Sequence, residues 1–220
     1  MIKAVLFDYD GTLTNRYESA YRMYKHIIKE VLPVETDSLE LECIVQRCML
    51  LDEFGNVSKS HVFNTIKEEY IPSFDADYWK NYWSRHFCDY QVPAEGCFDL
   101  LKKLSLHYKL GVISNGDGPS QNAKITALGI RKYFEAVVVC GDYGIQKPDP
   151  RIYRIAAEKL SLNCDEIAFV GDTFMTDIAG AIRAGMYPVW ICSEHKGVSD
   201  YDVRKIERLD EVADIFIPGI

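Results

Sequence analysis

The sequence predicts an α/β protein: a parallel sheet core, interrupted after its first strand by an inserted bundle of helices. Three observations carry the prediction. From residue 97 onward, short apolar runs alternate with helix-length segments, the pattern of crossover units in a parallel sheet. Residues 15–90 instead place apolar side chains at helical spacing throughout. Residues 2–7 are apolar apart from Lys3 and read as a buried strand that ends on two carboxylates, Asp8 and Asp10. The expected division is a core of residues 1–14 and 91–220 and a helical domain of residues 15–90.

The elements follow in order. Gly11 permits the sharp turn after the first strand. Ala20, Met23, Tyr24, Ile27, Ile28 and Val31 then line one helical face, which Leu32-Pro33 ends. Leu41, Ile44, Val45 and Cys48 make a second stripe, and Val62, Phe63, Ile66 and Tyr70 a third. The fourth carries Tyr78, Trp79, Tyr82, Trp83, His86 and Phe87. Four amphipathic helices with short polar connections predict a bundle with Trp79 and Trp83 in its core. Beyond it, residues 97–107 read as a helix and Lys109–Ser114 as a strand. Residues 119–128 form a helix, with Pro119 in its first turn and Gly129 past its end. Residues 136–140 are a strand, and Asp149-Pro150 supplies the N-cap and first position of the next helix. Residues 167–170 are a strand, followed by a helix ending at Gly185. Residues 187–192 are another strand, and 213–217 a short final one.

Composition narrows the function. Apolar residues are 48% and charged residues 26%, which excludes a disordered or fibrous chain. No apolar run approaches the ~18 residues of a membrane span, and the chain opens directly into a strand, so neither a membrane anchor nor a signal peptide is expected. The seven cysteines contain no C-x-x-C pair and mostly have apolar neighbours, as reduced thiols of a cytoplasmic protein would. A net charge of −8 without a basic cluster argues against nucleic acid as a partner. It leaves a small phosphate ester open, because one lysine and a divalent cation can reverse the potential within a cleft.

Four features fall at strand ends in the alternating part: Asp8 with Asp10, Ser114-Asn115-Gly116, Lys147-Pro148, and Gly171-Asp172 with Asp177. Each alone is a common turn or loop feature. Asp8-x-Asp10-Gly11-Thr12-Leu13-Thr14 and this ordered set resemble the signature of the haloacid dehalogenase-like superfamily in its phosphatase form. The resemblance implies a Rossmann-like parallel core with a helical cap inserted after the first motif. It also implies a central strand bearing Asp8, flanked by the Ser114 and Asp172 strands, an order the sequence itself does not give.

Phosphoryl transfer needs an aligned nucleophile, positive charge around the phosphoryl oxygens and a proton donor for the leaving oxygen. Asp8 is the expected nucleophile, forming an aspartyl-phosphate, and Asp10 the acid and base. Ser114 and the backbone N–H of Asn115 would bind phosphoryl oxygens, and Lys147 would offset charge on phosphate and Asp8. Thr12 would tie down the turn through its hydroxyl, beside the phosphate. Asp8, Asp172 and the backbone carbonyl of Asp10 make an all-oxygen set suited to Mg²⁺. Asp177 would support that metal or orient Lys147 from behind. Dehalogenases of this resemblance lack the second carboxylate, so Asp10 favours phosphate esters. Phosphonate-cleaving relatives use a cap lysine; Lys25, Lys29, Lys59, Lys67 and Lys80 read instead as surface residues.

The expected activity is therefore a Mg²⁺-dependent phosphatase for a small phosphorylated metabolite. The alternatives are a phosphosugar mutase and a catalytically silent regulatory member. Ser114-Asn115-Gly116 followed by Gln121 and Lys124 is similar to members acting on nucleoside monophosphates or sugar phosphates. Gln46, Arg47, Asp52 and Asn56 are candidate selectivity residues, with ordinary solvent-facing side chains the simpler reading. Oligomeric state is left open.

Overall fold

The structure, a computed structural model, describes residues 1–33, 35–192 and 199–217. In chain order the elements are β1 (Ala4–Phe7), α1 (Arg16–Val31), α2 (Ser38–Asp52), α3 (Lys59–Glu69), α4 (Ala76–His86), α5 (Cys97–Leu104), β2 (Lys109–Ser114), α6 (Gly118–Ala127), β3 (Ala136–Val139), α7 (Pro150–Leu160), β4 (Ile167–Gly171), α8 (Ala179–Ala184), β5 (Tyr187–Ile191), β6 (Arg204–Ile206) and α9 (Val212–Phe216). They fall into two compact units, Met1–Asn15 with Pro93–Ile220, and Arg16–Val92.

The first unit is built on one parallel sheet of order β3-β2-β1-β4-β5-β6. β1 lies between β2 and β4, with Phe7 opposite both Val112 and Val170. Its four residues are buried on both faces, which is why the strand reads as an unbroken apolar run. Alternation divides them. Val5 and Phe7 join Leu100, Leu104, Ile125, Val212 and Phe216 on one side, while Ala4 and Leu6 join Ile113, Ile152, Tyr153 and Phe169 on the other. Each large side chain so buried contributes about 1.5–3 kcal/mol relative to exposure. Asp8 N–H extends the ladder by one bond, to Val170 O at 2.9 Å, so the carboxylate stands where the central strand leaves the sheet.

Residues 213–217 are not a strand. Val212 and Phe216, four apart, are buried together on α9, and Tyr108 Oη donates to Phe216 O at 2.6 Å. The alternation of Ala213, Ile215 and Ile217 mimicked a strand because these residues are only half-buried. The last strand among the described residues is β6, an Arg-Lys-Ile edge with a single buried residue.

In the helical unit, side-chain caps from Asp37, Ser58 and Asp75 begin α2, α3 and α4. Its core gathers Met23, Tyr24, Ile27, Ile44, Cys48, Phe63, Ile66, Trp79 and Trp83. Tyr24 and Trp83 rings meet at 4.5 Å, and Trp83 stacks on Phe87 at 4.7 Å. Tyr78, expected in the stripe, points outward; the inner face of α4 is Ala76, Trp79 and Trp83.

Lys59 is not a surface residue. Asp52, buried at the C-terminal end of α2, accepts from Tyr24 Oη at 2.8 Å, from Lys59 Nζ, and from Arg16 Nη2 at 2.9 Å. Lys59 also lies 4.9 Å over the Trp83 ring, and burial lowers its pKa against the pull of Asp52. Gly55 follows at φ +90, and a Cβ there would lie 2.6 Å from Arg16 Nη2. The other candidate selectivity residues are engaged within the helical unit. Gln46 donates to Glu42, Arg47 forms a two-pronged pair with Glu69, and Asn56 donates to Glu53 O.

Candidate active site

The chain leaves β1 through a tight turn in which Gly11 adopts φ +91. Tyr9 O gathers the turn, accepting from the backbone N–H of Leu13 at 3.0 Å and Thr14 at 3.2 Å and from Thr14 Oγ1 at 3.2 Å. The hydroxyl that ties the turn is therefore that of Thr14, not Thr12, because the curl after Gly11 brings residue 14 back over Tyr9. Thr12 Oγ1 is buried and has no hydrogen-bond partner among the described residues. Gly11 has a second reason to lack a side chain: a Cβ would stand 2.7 Å from Asp172 Oδ2.

Asp8 is buried and meets Lys147, whose Nζ donates to Asp8 Oδ1 at 2.6 Å and to Asp177 Oδ1 at 2.8 Å. Lys147 arrives from the loop after β3. Asn115, just past β2, holds that loop with its side chain: Oδ1 accepts from Lys147 N at 2.9 Å and Nδ2 donates to Lys147 O at 3.4 Å. This side-chain clamp was not expected of Asn115. Ser114 is buried at the end of β2, its Oγ donating to Asn115 O at 3.2 Å.

Asp172 and Asp177 come from the far side of β1. Asp172 follows β4 and is half-buried, its backbone O accepting from Trp190 Nε1 at 2.9 Å. Asp177 sits in a wide π-type turn, Phe174–Ile178, which precedes α8. Thr173 N–H donates to Asp177 Oδ2 at 3.0 Å, and Tyr153 Oη holds the same turn through Thr176 O at 2.7 Å. Ligand oxygens of Asp8, Asp172 and Asp177 lie within 4.8 Å of one another. Asp177 is thus part of the carboxylate cluster itself.

The Asp10 side chain is held elsewhere. Its Oδ2 accepts from Lys124 Nζ at 2.5 Å and from Gln121 Nε2 at 2.9 Å, both from α6. Gln121 Nε2 donates as well to Asn115 O at 2.7 Å, linking this contact to the Lys147 clamp. In the sequence, Gln121 and Lys124 stand out only through a likeness, which implies no contact for them. The available signal was their register: with Gly118 and Ile125 they form the buried face of α6, where an apolar stripe is usual.

Burial raises the Asp8 pKa to about 8; Lys147 opposes the shift, and the charges of Asp177 and Asp172 reinforce it. For Lys147, burial alone would lower the pKa, but the Asp177 and Asp8 carboxylates outweigh it and the ammonium is held charged. The cluster holds three carboxylates and Lys147 pairs with two of them, an excess of negative charge with all-oxygen donors.

Comparison with known proteins identifies the family. Residues 5–191 match the profile of haloacid dehalogenase-like hydrolases. The chain is 32% identical over 197 residues to a glyceraldehyde 3-phosphate phosphatase of Methanopyrus kandleri, covering 87% of this chain and 84% of that protein. It is 27% identical to the N-acylneuraminate-9-phosphatase of Homo sapiens, over 86% and 82% of the two chains. Among solved structures, the magnesium-bound HAD-hydrolase YfnB of Bacillus subtilis shares the fold with a TM-score of 0.76 at 22% identity, covering 98% of this chain and 99% of that one. With its strand order, its carboxylate cluster and a family profile spanning most of its length, the chain belongs to the haloacid dehalogenase-like hydrolases.

Proposed function

We propose that the protein is a Mg²⁺-dependent phosphatase that hydrolyses a small phosphorylated metabolite through an aspartyl-phosphate on Asp8. The observation that carries this reading is the pair of carboxylates two residues apart, each with its own lysine. Asp8 is ion-paired with Lys147 and Asp10 with Lys124. A haloacid substrate, whose halide leaves without a proton, has no use for the second carboxylate.

In the proposed reaction an Asp8 oxygen attacks phosphorus as the ester P–O bond breaks, and the Asp10 carboxyl gives its proton to the departing oxygen. Asp10, now a carboxylate, takes a proton from the water that attacks phosphorus next, releasing inorganic phosphate and restoring Asp8. Ser114 and backbone N–H groups beside Asn115 would bind phosphoryl oxygens, while Lys147 neutralises charge on Asp8 and phosphate. Thr12, whose buried hydroxyl has no partner among the described residues, would add a donor beside the turn.

The residues fit a divalent cation. The cluster is all oxygen and carries two more negative charges than Lys147 offsets, and Gly11 leaves the space in which Asp172 sits. Asp8, Asp172 and the carbonyl of Asp10 would hold Mg²⁺, with Asp177 behind. When bound, the ion would neutralise phosphoryl charge and favour the ionised form of Asp8. Relatives named for glyceraldehyde 3-phosphate and N-acylneuraminate 9-phosphate point to small sugar-derived phosphates.

The test is phosphate release from glyceraldehyde 3-phosphate, other sugar phosphates, nucleoside monophosphates and phosphoglycolate, with Mg²⁺ or chelator, using wild type and Asp8→Asn. Release that requires metal and falls by at least about 10³-fold in the variant supports the mechanism. Activity retained in Asp8→Asn sinks it, and phosphoryl return to sugar without net release indicates a mutase.

A further inference from the structure

We infer that Lys124 and Gln121 are positioning residues for the proton transfer to the leaving group. The inference rests on the phosphatase reading above and deepens it. Both donors come from one face of α6, three residues apart, and both fall on the same oxygen, Asp10 Oδ2, at 2.5 and 2.9 Å. Two N–H donors on one oxygen restrict the carboxylate, which a side chain at the start of a glycine turn would not fix alone.

The anchor is itself built in. Lys124 is buried apart from 9% of its side chain and lies 5.3 Å over the Tyr9 ring, so the ammonium is seated between an aromatic face and Asp10. Burying a lysine in that way is costly without a function or a partner, and Asp10 supplies the partner. Gln121 is oriented by its second contact. One amide hydrogen meets Asp10 and the other Asn115 O, whereas the reversed amide would set its oxygen against two acceptors. Gly116 makes room for it: at φ +118, its Cβ would come within 2.9 Å of Gln121 Nε2. The network Asp10–Gln121–Asn115–Lys147–Asp8 therefore ties the proton carrier to the nucleophile's own counter-charge.

This predicts a leaving-group signature. Proton donation matters when the departing oxygen is strongly basic, as in an alkyl phosphate, and much less for p-nitrophenyl phosphate, whose phenolate leaves unaided. kcat/KM reports events up to loss of the alcohol, so it isolates this step. Wild type, Lys124→Met, Lys124→Arg and Gln121→Met are compared on glyceraldehyde 3-phosphate, glycerol 2-phosphate and p-nitrophenyl phosphate, with folding checked by circular dichroism. Lys124→Met should lower kcat/KM on the alkyl esters about 10- to 100-fold more than on p-nitrophenyl phosphate. Gln121→Met should show the same bias more weakly, and Lys124→Arg should recover most of the loss. Equal losses on all esters in folded variants, with an active wild type, overturn the inference alone. No release by wild type overturns the phosphatase reading and this inference with it. Should Lys124→Met fail to fold, the bias in Gln121→Met and its absence in Lys124→Arg decide the question.

Discussion

Asp52→Asn in the helical unit tests whether its buried charge cluster is held by one carboxylate. Asp52 is 1% exposed and receives three donors, while Arg16 and Lys59 keep only 12% and 15% of their side chains exposed. The substitution preserves shape but turns an acceptor-only group into one with an N–H₂ that must face cations. Removing one partner of a buried pair costs about 3–5 kcal/mol. Arg16 cannot shed its charge, whereas Lys59 can, which limits the loss to about 3–4 kcal/mol. In a chain of this size each kcal/mol moves Tm by about 2–4 °C, so Tm should fall by about 6–16 °C. Urea titration followed by tryptophan fluorescence gives the free energy, since Trp79 and Trp83 lie in this unit. The pH dependence has a definite sign. Burial already lowers the Lys59 pKa, and losing Asp52, which raises it, lowers it further. Between that folded value and the ordinary lysine value the unfolded chain binds more protons, so the variant should regain stability as pH rises from neutral toward 10. Adding Lys59→Met to Asp52→Asn should recover about 1 kcal/mol or more. An Asp52→Asn variant within 1 kcal/mol of wild type would refute the reasoning.

Two further outcomes bear on the core. Lys147→Met leaves Asp8 and Asp177 buried side by side without their shared cation, so activity should fall about 10²- to 10³-fold. Stability in chelator should fall about 3–5 kcal/mol, and steady-state kinetics with melting curves check both. Asp172→Ala removes one oxygen of the cluster but leaves Lys147 on Asp8 and Asp177. It should raise the Mg²⁺ concentration for half-maximal rate about tenfold or more, and an unchanged metal titration would place the cation elsewhere.

Legibility followed locality. β1 was readable because a strand buried on both faces leaves a continuous apolar run, and its end on Asp8 located the site. Ser114 and Asp172 were readable as polar residues at the ends of such runs, whereas Lys147 and Asp177 lie six to eight residues past theirs and stood out only through the ordered set they complete. β6 was not, since an edge strand of Arg204, Lys205 and Ile206 buries only one side chain and carries no apolar pattern. Lys59 sits between two serines and looks solvated in sequence. Its burial is decided by Tyr24 and Trp83, far away along the chain. The same holds for Lys124 and Gln121, whose partner is more than a hundred residues distant.

The proposed mechanism asks one turn to house two carboxylates with different tasks. Asp8 and Asp10 are two residues apart on an exit from the same strand, so proximity alone would give them a common environment. The fold separates them by supplying counter-charges from different elements. Lys147, on the loop after β3, reaches Asp8 within a cluster that also holds Asp177 and Asp172; Lys124, on α6, draws Asp10 to the opposite partner. In the proposed mechanism, divergent environments would allow one carboxylate to stay a nucleophile while its neighbour carries protons. If that division is what α6 is for, exchanging Lys124 for a neutral residue should blur the two roles while leaving the sheet and the carboxylate cluster intact. Thermal stability near wild type together with a selective loss on basic leaving groups is the combination that a purely structural lysine would not give.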